Sequence, residues 1–158
     1  MGIQVKQFRE NVIRPALELL HMESPTAEAL MLGTAAQESR MGQYLRQVGG
    51  GPALGVFQME PATYQDIWRN FIETHPEILQ LLATRWPVKP PPEQMVTDLL
   101  LAAVMCRLHY RRVKAALPQA DDLAGLANYW KRYYNTPKGA GTESEFIRNW
   151  QQSVEGGK

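Results

Sequence analysis

The chain has 158 residues, one ordinary domain's worth, and its 44% hydrophobic and 21% charged composition supplies a core and argues against wholesale disorder. Lys+Arg 17 against Asp+Glu 16 leave a formal charge of +1, which excludes a strongly basic nucleic-acid binder. A single cysteine, Cys106, excludes an intramolecular disulfide and a Cys-based zinc cluster, and no apolar run approaches the ~18 residues of a membrane span.

A first helix is predicted from Gln4 to His21, with Val5, Phe8, Val12, Ile13, Leu17 and Leu20 at helical spacing. Lys6, Arg9, Glu10, Arg14 and Glu18 interrupt it, so it has no secretory h-region, and Lys6 stands where a myristoylation motif after Gly2 needs Ser or Thr. A cytoplasmic start is therefore expected. Ser24-Pro25 supplies an N-cap and a first-turn proline for a second helix reaching Gln37. From Met41 to Phe57 the chain is glycine-rich and without helical period, and Gly49-Gly50-Gly51-Pro52 marks a loop or small irregular hairpin. A loop of this kind between rigid helices is where a binding cleft is expected.

Pro61 opens a third helix toward Phe71, and Pro76 a fourth toward Arg85. Pro87-Val88-Lys89-Pro90-Pro91-Pro92 is a stiff connector that cannot be helical. It is too short for a domain boundary, so residues 1–158 read as one domain with two lobes around 87–92. A very apolar central helix is predicted from Glu93 to Leu117, a further one from Asp121 or Asp122 to Tyr133, and Thr142-x-x-Glu145 is a capping box for the last. The fold class is all-α.

Glu38 is the first candidate for chemistry. At ~100° per residue, Ala27, Met31 and Thr34 lie within roughly 40° of its direction, so its carboxyl extends the apolar stripe of the second helix. Burial there raises a carboxyl pKa, and an acid still protonated near neutrality is suited to protonating a leaving-group oxygen. The plainer reading is a glutamate at a frayed helix end, paired with Arg40 or with a neighbouring lobe.

Two segments around Glu38 and one distant segment form a pattern. Ala36-Gln37-Glu38-Ser39-Arg40-Met41-Gly42, Gly55-Val56-Phe57-Gln58-Met59-Glu60-Pro61-Ala62-Thr63 and Tyr133-Tyr134-Asn135-Thr136-Pro137-Lys138-Gly139 together resemble the lysozyme-like superfamily, nearest to soluble lytic transglycosylases and goose-type lysozymes. The resemblance implies a helical lysozyme-like domain with a small glycine-rich loop or hairpin beside the cleft. It implies that Glu38 is the catalytic acid, that Ser39 hydrogen-bonds near substrate, and that Gln58 is a cleft-lining amide on sugar. Tyr134 and Asn135 match the pair closing the cleft opposite the acid, the Tyr helping to orient it. Gln58 reads alternatively as a loop brace and Tyr134 as a core aromatic with a wet hydroxyl. Glu60 departs from the family, standing where an apolar or small residue is usual; it lines the cleft and binds an amino group of the substrate, or it caps the helix opened by Pro61. Thr136-Pro137-Lys138 before Gly139 is a second departure.

No Asp or Glu lies between Glu38 and Glu60, so the loop supplies no second carboxylate for a two-carboxyl glycosidase. In lytic transglycosylases the substrate's N-acetyl group assists departure and the same glutamate then acts as base on the sugar's 6-hydroxyl. The resemblance thus implies cleavage of the MurNAc–GlcNAc β-1,4 bond of peptidoglycan, leaving a 1,6-anhydro end, without a cofactor. The alternatives are a hydrolytic muramidase of the same fold, with Glu60 or Asp66 activating water, and a non-catalytic glycan-binding or virion module. With a cytoplasmic start this suits a phage-type bacteriolytic enzyme, an endolysin or virion-associated lysin, acting on peptidoglycan strands as a monomer.

Other features carry less. His21, His75 and His109 lack metal-ligand spacing, Cys106 reads as a buried thiol, and Gly49-Gly50-Gly51 lacks the ending of a phosphate loop. Arg107, Arg111, Arg112, Lys114, Lys131 and Arg132 read as a solvated basic face or as an attractor for an acidic polymer. Trp130, Tyr133 and Tyr134 read as sugar-stacking rings or core.

Overall fold

Helix starts are set where the sequence places caps and prolines. In the computed structural model, which describes residues 2–157, α1 covers 5–20, α2 Pro25–Ser39, α3 61–72, α4 Pro76–Ala83, α5 Leu99–Arg111, α6 123–135 and α7 143–155. Pro25, Pro61 and Pro76 each occupy a first turn, where a missing N–H costs nothing. Ser24 accepts from the Ala27 amide, and Thr142 and Glu145 form both bonds of the capping box. Two isolated antiparallel bridges, Arg46 with Leu54 and Leu54 with Met59, give the glycine-rich loop its hairpin character; among the described residues there is no sheet.

Among the described residues four helices contain a π-helical turn, which the sequence pattern does not announce. Residues Arg9–Ile13 widen α1 just before Pro15, with the Arg14 amide reaching back to the Arg9 carbonyl. A proline inside a regular helix removes a bond and drives its ring into the preceding turn. The wide turn opens that space. In α6 the π turn is Lys131–Asn135, which fans Trp130, Tyr134 and Asn135 over one broad face.

The predicted helix from Glu93 to Leu117 is broken. A 3-10 turn Pro92–Val96 comes first, then Asp98 leaves helical geometry and its carboxylate caps α5 by accepting from the Leu101 amide at 3.0 Å. Trp86 Nε1 and Gln94 Nε2 donate to its other oxygen, so three donors fix the break. The chain leaves α5 at Arg112, and the stretch before Asp122 is not helical.

The core is one contiguous cluster running from Val5 to Val154, with α5 buried from Leu101 to Leu108 and α2 from Leu30 to Ala36. These two helices are linked by a satisfied buried pair, Thr34 Oγ1 and the Tyr110 hydroxyl, 2.7 Å apart. The proline connector joins that body: Pro90 and Pro92 are buried, and the Tyr64 hydroxyl donates to the Pro90 carbonyl at 2.6 Å. No helix among the described residues is long and apolar enough to cross a membrane.

Candidate functional site

The C-terminus of α2 turns sharply. Arg40 and Met41 both take left-handed backbone angles, and their amides return to the Ala36 and Ala35 carbonyls. Ser39 is fully buried inside this turn. Its hydroxyl donates to the Val56 carbonyl at 2.6 Å and accepts from the Gly42 amide at 2.8 Å, tying the helix end to both limbs of the glycine-rich loop. Ser39 therefore does not reach the cavity. The family-based expectation of a substrate contact gives way to a brace, because both hydroxyl functions are spent on backbone.

One residue earlier, Glu38 lines a cavity of about 680 Å³, within the ~300–1,000 Å³ usual for ligand sites. Gln58, Glu60, Tyr134 and Asn135 line the same cavity, so of the six residues singled out in the sequence only Ser39 is set back. The remaining wall includes amides and hydroxyls: Gln37, Gln47, Tyr44 and Thr63.

The Glu38 carboxyl is half-buried, and burial pushes it up to about 7, against the smaller opposing pull of the Trp130 indole N–H, which donates to Oε1 at 2.9 Å. Arg40 is exposed and forms no ion pair with it. Trp130 is itself fully buried against Phe146, so it is core, an acid-holding donor and cavity wall at once. The sequence pattern offered stacking or core for this ring and missed the bond to the acid; its only trace is a position four residues before Tyr134.

Tyr134 does not hydrogen-bond to the acid. Its hydroxyl donates to the Phe57 carbonyl at 2.6 Å, holding the loop residue next to Gln58, and its ring packs on His109 and Tyr110. Burial pushes its phenol well above the usual range, so it stays a donor. Orientation of the acid, expected from Tyr134, comes from Trp130 instead. Gln58 has a left-handed backbone and donates through Nε2 to the Gly55 carbonyl at 2.9 Å. It is both loop brace and cavity wall. Asn135 accepts from Lys131 Nζ at 2.7 Å, and the same ammonium donates to the Gly139 and Gly141 carbonyls, closing the turn through Thr136-Pro137-Lys138.

Glu60 sits at the N-cap position of α3, yet its side chain makes no capping bond. The capping alternative fails on this geometry, and the exposed carboxylate lines the cavity. Nothing in the sequence marks His109 for the site, since it lies on the apolar α5 with no motif around it. It lines the cavity, and burial with Arg112 beside it brings the imidazole down to about 4. Arg112 in turn pairs with Asp66.

The expected basic face is dispersed. Arg107 is buried, Arg112 is tied to Asp66, and Lys131 is spent on the Asn135 turn. Cys106 is fully buried. Among the described residues no group of three or more His, Cys, Asp or Glu side chains converges as metal ligands would. No family model, no curated protein and no solved structure matches this chain.

Proposed function

We propose that the chain is a peptidoglycan-cleaving enzyme with a lysozyme-like site, in which Glu38 protonates the departing oxygen of the MurNAc–GlcNAc β-1,4 bond. The observation that carries this reading is a carboxyl brought to about 7 at the wall of an amide-rich cavity, oriented by a donor that cannot take its proton. Sugar hydroxyls both donate and accept, and the amide side chains of Gln37, Gln47, Gln58 and Asn135, a group type that carries both functions, line the cavity.

A single acid suffices when the substrate supplies its own nucleophile. Glu38 gives its proton to the leaving oxygen while the N-acetyl carbonyl oxygen bonds to C1. The resulting carboxylate then takes the proton of the 6-hydroxyl, whose oxygen displaces the acetamido oxygen from C1. Proton and electron pair both return, and the product carries a 1,6-anhydro ring. This lytic transglycosylase route is preferred because Glu60 is the only other carboxylate lining the cavity among the described residues.

Hydrolysis is the second reading, favoured by one observation. The Glu60 carboxylate is free of the helix cap and is available to activate water. Mass analysis of fragments released from purified peptidoglycan separates the two, since anhydro ends are lighter than hydrolysed ends by one water. An endolysin or virion-associated context belongs to this same proposal.

A further inference from the structure

A second cavity, about 710 Å³, shares Gln37 and Tyr44 with the cavity that holds Glu38. The partition between the two is polar. The Tyr44 hydroxyl donates to the Glu38 carbonyl at 2.8 Å, and Asn149 Nδ2 donates to Gln37 Oε1 at 2.7 Å. Arg40, at the end of α2, and Arg148, on α7, line the second cavity.

Neither guanidinium has a carboxylate within 4 Å or a hydrogen-bond acceptor among the described residues, whereas Arg9 and Arg14 pair with Glu28 and Arg112 pairs with Asp66. Glu145 is the single acidic residue on the wall, and its Oε2 is occupied by the Thr142 amide. Arg40 also holds a left-handed backbone at φ 51°, a conformation costing a side chain about 1 kcal/mol that glycine would avoid. Its side chain makes no hydrogen bond or ion pair among the described residues that offsets this cost. The chain as a whole carries only +1, so the positive charge here is local and not part of a general anion attraction.

We propose that this groove is a subsite for the carboxylates of the short peptide branch carried by the sugar strand, clamped by Arg40 and Arg148. The inference rests on the glycan-cleaving reading above. A guanidinium fork matches a carboxylate with two parallel bonds, and the shared wall places such a branch beside the sugar whose bond Glu38 faces.

The test compares wild type, the Arg40→Gln/Arg148→Gln pair and the Arg40→Lys/Arg148→Lys pair on two substrates. One is intact peptidoglycan; the other is the same glycan with its peptides removed by an amidase. On intact strands the Gln pair raises KM about tenfold with kcat within about twofold, the Lys pair recovers part of the loss, and the difference shrinks with added salt. On stripped strands the three proteins agree within about twofold, as expected if only the peptide contact has been removed. An equal loss on both substrates, or no loss on intact strands, overturns the subsite while leaving cleavage standing. If wild type cleaves neither substrate, the glycan-cleaving reading falls and the subsite with it.

Discussion

The Trp130 indole nitrogen donates to Glu38 Oε1 across 2.9 Å, joining side chains 92 positions apart in sequence. An indole has one hydrogen to give and no lone pair to accept with, so it fixes one carboxyl oxygen without competing for the proton. Glu38 Oε2 has no protein partner among the described residues. The pair thus divides the carboxyl into an anchored side and an unpartnered side. Glu38→Gln keeps an acceptor for the indole but has no acid to offer, and wall clearing should fall by at least about a hundredfold. Unchanged clearing by a normally folded variant would leave only a binding module.

The same substitution has a thermodynamic signature. A carboxyl near 4.5 when unfolded and about 7 when folded contributes stability below pH 4.5 that is lost as pH rises through 7. Glu38→Gln should therefore leave melting unchanged near pH 4 and raise it at pH 8.5 by several degrees, at most about 3 kcal/mol before solvent screening. His109 works in the opposite sense, losing stability as pH falls from 6.5 toward 4. That contribution is common to both proteins and cancels in their difference. Melting curves across pH 4–9 check the prediction.

Trp130→Phe removes the N–H that pulls the Glu38 pKa down, so the alkaline limb of the activity profile should move to higher pH. The plateau should drop about tenfold as the carboxyl loses its orientation, and the smaller ring in a fully buried slot should cost about 1–3 kcal/mol. A lower plateau with an unmoved limb would show that the ring matters only as packing.

Much of the frame is legible in sequence because local signals and tertiary packing agree there. Ser24-Pro25, Pro61, Pro76 and Thr142 start helices where caps and prolines say they should. The pattern misleads at Asp98, where the apolar run that follows outweighs one carboxylate held in its capping role by Gln94 four residues before it and by Trp86 arriving from elsewhere. The site divides the same way. Glu38 is readable from its place on a helix face. Its indole partner, His109 and the inward role of Ser39 are not, since each is decided by a contact made only after helices meet.

Tyr134→Phe tests the loop anchor. Without its hydroxyl the Phe57 carbonyl loses its donor, at a cost of about 1–2 kcal/mol, and Gln58 is held only through its bonds to the Gly55 carbonyl. Faster amide exchange confined to 54–60, with a rise in KM exceeding any fall in kcat, is the expected outcome.

Gly55 and Gly50 both have left-handed backbones, at φ 78° and 84°, but differ in surroundings. A Cβ on Gly55 would lie 2.6 Å from the Met95 carbonyl oxygen, while one on Gly50 meets nothing within 4 Å. Gly55→Ala should cost about 3 kcal/mol, combining backbone strain with a displaced 3-10 turn, and Gly50→Ala about 1 kcal/mol. Equal losses in denaturant unfolding would mean that the contact with the 3-10 turn carries no weight.

Under the proposed glycan cleavage, Glu60 separates the two chemistries. Its side chain is exposed and caps nothing, so Glu60→Gln should alter stability by less than about 0.5 kcal/mol, and any effect on turnover is chemical or a matter of binding. If the 6-hydroxyl is the nucleophile, Glu38 already serves as both acid and base, and the variant should retain kcat within about fivefold while still releasing anhydro ends. If Glu60 activates water, kcat should fall by about a hundredfold or more and hydrolysed ends should vanish. Product mass and kcat from the same digest measure both outcomes, and only the first is compatible with one carboxyl doing the work of two.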